Sequence, residues 1–156
     1  MGSEMCIRDR FTHVLVPTDG STLSADTALR AVDFAKAIGA KVTFFYAQPE
    51  YPAQFFGEGA LIDPTTPQQF AKAAQAAAAE ILQKCEALAR QAGIECGTAS
   101  EASEVPYEAI IKAAQEHGCD LIFMASHGRR GLAGLLLGSE TQKVLTHSKI
   151  PVLVYR

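Results

Sequence analysis

The sequence predicts an α/β protein: a single doubly wound, five-stranded parallel sheet with helices on both faces. Three observations predict it. Short apolar runs alternate with longer amphipathic ones, in the order β-α-β-α-β-α-β-α-β. The short runs are apolar on both faces, as strands covered on each side must be. Right-handed crossovers then leave a doubly wound sheet, whose ligands sit at the carboxyl ends of the strands where the winding reverses.

The elements follow in order. Residues 12–17 (THVLVP) are β-branched and apolar and break at Asp19-Gly20-Ser21. From about Ser24 to Ile38, Ala28, Leu29, Val32, Ala35 and Ile38 recur every three or four residues, giving one helix face that Gly39 closes. Residues 42–47 (VTFFYA) make the second strand. Pro49, Pro52, Pro64 and Pro67 mark residues 48–66 as a long surface connection. Pro67 opens an Ala-rich helix to about Ala92, with Phe70, Ala74, Ala77, Ile81, Cys85 and Leu88 as the expected buried stripe and Gly93 at its end. A weak strand is expected over 94–99 and a helix over 104–117, started by Pro106 and ended by Gly118. Residues 120–125 (DLIFMA) form a strongly apolar strand, 126–138 a glycine-rich loop, 139–147 a short helix and 151–155 (PVLVY) the last strand.

Composition excludes several classes. Of 156 residues, 48% are hydrophobic and 20% charged, enough for a core and too apolar for wholesale disorder. Fourteen basic against 17 acidic side chains give a net charge of -3, which argues against bulk electrostatic capture by nucleic acid or anionic lipid. No apolar stretch nears the ~18 residues of a membrane span. Residues 1–10 (MGSEMCIRDR) have no apolar h-region and no continuity with the pattern beginning at Phe11. They are read as an unstructured leader or extraneous remnant, and 11–156 as the domain. Cys6, Cys85, Cys96 and Cys119 lack CxxC spacing, so free thiols in a reducing cytoplasm are expected, with no metal site.

The chemistry concentrates in residues 124–141, MASHGRRGLAGLLLGSET. Gly128, Gly131, Gly134 and Gly138 lie between a strand and a helix. Glycines let backbone amides approach phosphate oxygens, a helix start offers unpaired N–H groups, and Arg129 and Arg130 add charge. Neither the Walker loop GxxxxGK[ST] nor the dinucleotide fingerprint GxGxxG is present. Ser139 and Gln142 also spell S-x-x-Q, a capping box, so residue spacing alone leaves open a plain strand-to-helix loop capped by Ser139.

In this loop the sequence resembles the universal stress protein family, whose nucleotide-binding branch carries Gly, two residues, Gly, nine residues, then Gly and Ser or Thr. Ala125, Ser126-His127, Gly128, Arg129 to Leu137 and Gly138-Ser139 follow that frame, with alanine in place of the first glycine. VLVPTDGS at the front and PVLV at the end extend the likeness over 11–156. The resemblance implies an adenine nucleotide alpha hydrolase-like, Rossmann-like sheet of strand order 3-2-1-4-5 and an ATP site. Pro17, Thr18 and Asp19 would hold the adenine and ribose side, and Ala47 would lie beside the base. Met124 and Ala125 would touch base and ribose, and His127, Gly128 and Arg129 would begin the phosphate path. Gly138, Ser139, Glu140 and Thr141 would bind phosphates through amides and the two hydroxyls. A methyl at residue 125 costs about 1 kcal/mol or blocks the pose if that position needs positive φ or very close ligand approach, and is mild if glycine is only tolerated there. Whether Mg²⁺ or Mn²⁺ accompanies the phosphates is left open.

Nothing in the chain supplies an obvious base, nucleophile or lysine for phosphoryl transfer, so any hydrolysis is expected to be slow or partner-dependent. His127 has no carboxylate partner in sequence and reads as a positioning donor or bystander rather than a catalyst. An adenylyl-transferase reading would need SGG-x-DS after the first strand, where Pro17-Thr18-Asp19-Gly20-Ser21 stands. The resemblance further implies a homodimer paired through 151–155, and a stress-response role exercised by binding ATP; a family module without nucleotide is the alternative.

Overall fold

The computed structural model describes residues 10–51, 66–127 and 137–156. Five strands, β1 (His13–Pro17), β2 (Lys41–Gln48), β3 (Cys96–Ala102), β4 (Leu121–Ala125) and β5 (Val152–Tyr155), alternate with four helices, α1 (Thr22–Ile38), α2 (Pro67–Ala92), α3 (Pro106–Glu116) and α4 (Ser139–His147). All strand pairs are parallel and the order is β3-β2-β1-β4-β5, as expected.

Alternation along the strands separates two apolar layers. Val14, Val16, Val42, Phe44, Leu121 and Phe123 face α1 and α2, which add Ala28, Val32, Ala35 and Leu82. Leu15, Phe45, Ile122 and Met124 face α3 and α4, which add Ala109, Ile110, Ala113 and Val144. The winding therefore reverses between β1 and β4, as it must when successive crossovers take opposite faces.

Helix ends follow local chemistry. Ser21 caps α1 by accepting from Ser24 N–H at 3.1 Å, so the helix begins two residues before the expected Ser24. Thr66 and Gln69 form a reciprocal capping box on α2 ahead of Pro67. Gly39 (φ 75°) lets the chain turn left-handed after α1, and Ala40 N–H returns to Ala35 O at 2.9 Å. The same return bond closes α2 (Ile94 to Ala89) and α3 (Cys119 to Ala114).

Several expectations are corrected. Leu29 is 45% exposed, and Ala31 takes its place on the buried face of α1. The buried stripe of α2 is Ala78, Leu82, Cys85 and Ala89; Phe70, Ala74, Ile81 and Leu88 flank it half-buried, and Ala77 is exposed. Periodicity fixes the spacing of such a stripe but not its rotation, which the sheet's position sets. β3 runs over Cys96–Ala102 rather than 94–99, because its partner β2 fixes the ladder from Val42–Cys96 to Gln48–Ala102. Helix α3 is shorter than 104–117 at both ends. Residues 52–65, the centre of the expected long connection, lie outside the described residues, as do residues 1–9.

Candidate functional site

The crevice starts where two ladders end. β1 stays paired with β2 as far as Pro17–Phe45, whereas its pairing with β4 ends at Leu15–Ile122. The carboxyl ends of β1 and β4 are thus adjacent without being laddered, and the segments leaving them carry most of the residues singled out in sequence.

On the β1 side, hydroxyls knit the Pro17–Ser21 turn. Thr18 N–H donates to Phe45 O at 2.8 Å, and its Oγ1, buried, lies 2.7 Å from Ser24 Oγ. Asp19 N–H donates to Ser24 Oγ (3.1 Å), and Asp19 Oδ1 accepts from Ser21 N–H (2.9 Å) in an Asx turn. Ser24, absent from the expected site, holds this turn; a hydroxyl one turn into α1 is too ordinary in sequence to announce it. Ala47, on β2, packs half-buried against the layer that faces α3 and α4.

On the β4 side, Met124 is 5% exposed and its side chain packs in the core layer that faces α3 and α4. Ala125 takes no strained conformation, since among the described residues positive φ occurs at glycine alone. A methyl there therefore carries no cost from positive φ. Ser126 N–H donates to Tyr155 O on β5 (2.8 Å), and Ser126 O accepts from Gly138 N–H (2.6 Å). Those bonds bring the start of α4 back onto the end of β4. The approach is so close that a Cβ at Gly138 would lie 3.0 Å from His127 Cα and 3.1 Å from its Cβ. Glycine is needed here for space, not for φ, which is -69°. Gly128 and Arg129 lie outside the described residues.

Helix α4 begins differently from the capping-box alternative. Gly138 is its N-cap, Ser139 is the first helical residue, and among the described residues no side chain caps the turn. Gln142 Nε2 donates to Leu137 O instead (3.1 Å). The amides of Ser139, Glu140 and Thr141 are the first-turn donors that have no intrahelical acceptor, at the positive end of the helix dipole. Two expected contacts are redirected. Thr141, 3% exposed, gives its hydroxyl proton to Ala125 O (2.9 Å), so that hydroxyl ties α4 to β4 rather than donating to a phosphate. Gly138 likewise gives its N–H to Ser126. Glu140 turns away from the crevice: its Oε2 accepts from Tyr107 N–H in the first turn of α3 (2.9 Å), and Lys143 approaches Oε1 at 3.3 Å.

Chemically this is an anion-receptive helix start, braced against β4, beside a hydroxyl-stiffened turn after β1. These features suit a phosphorylated ligand: Gly138 has no side chain to cap the turn, and the first-turn amides of Ser139, Glu140 and Thr141 have no intrahelical acceptor. A separate cavity of about 410 Å³ lies between α2 and the β2–β3 pair and takes in none of these residues.

Such an arrangement defines a doubly wound α/β fold with its crevice at the β1/β4 switch point. The model of the universal stress protein family matches residues 10–156, and the chain belongs to that family. It is 30% identical over 151 residues to the universal stress protein MJ0531 of Methanocaldococcus jannaschii, covering 94% of this chain and 82% of that one. Among solved structures, universal stress protein UspA from Lactobacillus plantarum superposes with a TM-score of 0.75 at 26% identity, covering 94% and 99%. A universal stress protein crystallised in complex with cAMP superposes with a TM-score of 0.68 at 27% identity, covering 94% and 98%.

Proposed function

We propose that this chain binds an adenine nucleotide in the β1/β4 crevice, and that the bound state is its signal in a cytoplasmic stress response. The observation that carries this reading is the first turn of α4, which has no side-chain cap among the described residues and is fixed to the end of β4 by the Gly138–Ser126 and Thr141–Ala125 bonds. Phosphate accepts from the amides of Ser139, Glu140 and Thr141, with ATP or a shorter adenine nucleotide as ligand. Pro17 and Asp19 flank the nucleoside, and Ala47 lines the β2 side. Gly128 and Arg129 carry the phosphate path onward. The cAMP complex of a relative supports the ligand class. No step of hydrolysis is assigned to these residues. The functional unit is a homodimer paired along Val152–Tyr155.

Thermal unfolding with AMP, cAMP, ADP and ATP tests the reading. A ligand at about a hundred times its Kd stabilises the fold by roughly 2.7 kcal/mol. Unchanged unfolding with all four would reject nucleotide binding and leave an interaction module, a reading favoured by the internal commitment of the Gly138 and Thr141 donors.

A further inference from the structure

Ser126 anchors the crevice three times over. Its N–H holds β5, its carbonyl holds the start of α4, and its hydroxyl lies 3.2 Å from His127 Nδ1. The residue is 2% exposed, and among the described residues His127 is the partner of that hydroxyl. A hydroxyl carries one proton and, when buried, needs an acceptor for it. Were Nδ1 protonated, it would donate to Oγ and leave the buried hydroxyl proton without an acceptor among the described residues. With Nδ1 as acceptor, both groups are satisfied and the neutral ring carries its proton on Nε2. The root of the same ring faces the start of α4, where a Cβ on Gly138 would lie 3.0 Å from His127 Cα and 3.1 Å from its Cβ. In that tautomer Nε2 presents an N–H rather than a lone pair, the polarity an anion requires.

We propose that Ser126 is a positioning residue that locks His127 in the Nε2–H tautomer, and that this imidazole N–H donates to the ribose-proximal phosphate of the nucleotide. The inference rests on the ligand reading above and adds a residue and a proton position to it. The sequence signal is slight, a serine and histidine directly after the fourth strand.

Long-range ¹⁵N–¹H spectra of the free protein read the tautomer, and calorimetry with AMP and with adenosine reads the phosphate contact. Expected are an Nε2–H ring in the native protein, and in Ser126→Ala a mixture of tautomers. AMP should weaken about fivefold in that variant, with adenosine unchanged. His127→Gln, which keeps a donor near the Nε2 position, should retain AMP affinity better than His127→Asn. An Nδ1–H ring in the native protein overturns the proposal, whatever binds. Equal loss of AMP and adenosine in Ser126→Ala, or no loss of either, overturns it while leaving the ligand reading intact. Failure of the native protein to bind AMP removes the ligand reading and, with it, the donor role of His127.

Discussion

His13, at the amino-terminal end of β1 and far along the strand from the crevice, is 8% exposed and places Nε2 2.7 Å from Thr43 Oγ1. Burial pushes its pKa below the ordinary 6.5, and Lys41 and His117 push the same way against the pull of Asp120. The unfolded chain thus binds a proton that the native ring refuses. Stability from this residue is complete above pH 6.5 and declines as the pH falls through the lower native value. Urea unfolding between about pH 7.5 and about pH 5 should show a smaller acid loss for His13→Gln than for the native protein. Equal losses would remove His13 from the acid response. Thiols obey the same electrostatics: desolvation raises half-buried Cys96 to about 11 and buried Cys119 to about 12, so both stay protonated at neutral pH.

Helices α3 and α4 are joined through their first turns. The N-cap of α3 is Val105, which offers no side-chain acceptor, and Glu140 of α4 supplies one from outside by accepting from Tyr107 N–H. Stacking of Tyr107 on His147, with ring centroids 5.2 Å apart, extends the contact along α4. The carboxylate beside the anion-receptive turn is thereby occupied with capping a neighbour. Glu140→Ala should cost about 1–2 kcal/mol in denaturant unfolding and speed amide exchange at Tyr107. Glu140→Gln, which keeps an acceptor, should cost less. An Ala variant as stable as the native chain would show that the cap carries no stability.

At the scale of the molecule, β5 is an edge strand, half-buried throughout, with β4 on one side. An exposed parallel edge of apolar residues is a template for a further strand. Val154→Asp places a charge there without touching the two core layers, which Val152, Leu153 and Tyr155 contact instead. Size exclusion should show the native chain as a dimer and this variant as a monomer; a native monomer, or an unchanged variant, would reject the β5 interface. Edge and crevice are linked in one path, because Tyr155 O holds Ser126 N–H and Ser126 O holds Gly138 N–H.

Local and periodic information was legible from the residues. Pro67 and Gly93 bounded α2, Ser139 and His147 bounded α4, and the β-α alternation gave the parallel sheet; the strand order came with the family likeness. These depend on backbone preferences and apolar spacing, which each segment carries by itself. The rotation of α1 and α2, the commitment of Thr141 and Gly138, the turning of Glu140 toward α3 and the grip of Ser126 on His127 were decided by tertiary structure. Each is a contact between residues on different elements, or a competition among acceptors that only the packed chain brings within reach. Ordinary serines and threonines acquire such roles by neighbourhood, and neighbourhood is what the folded chain adds.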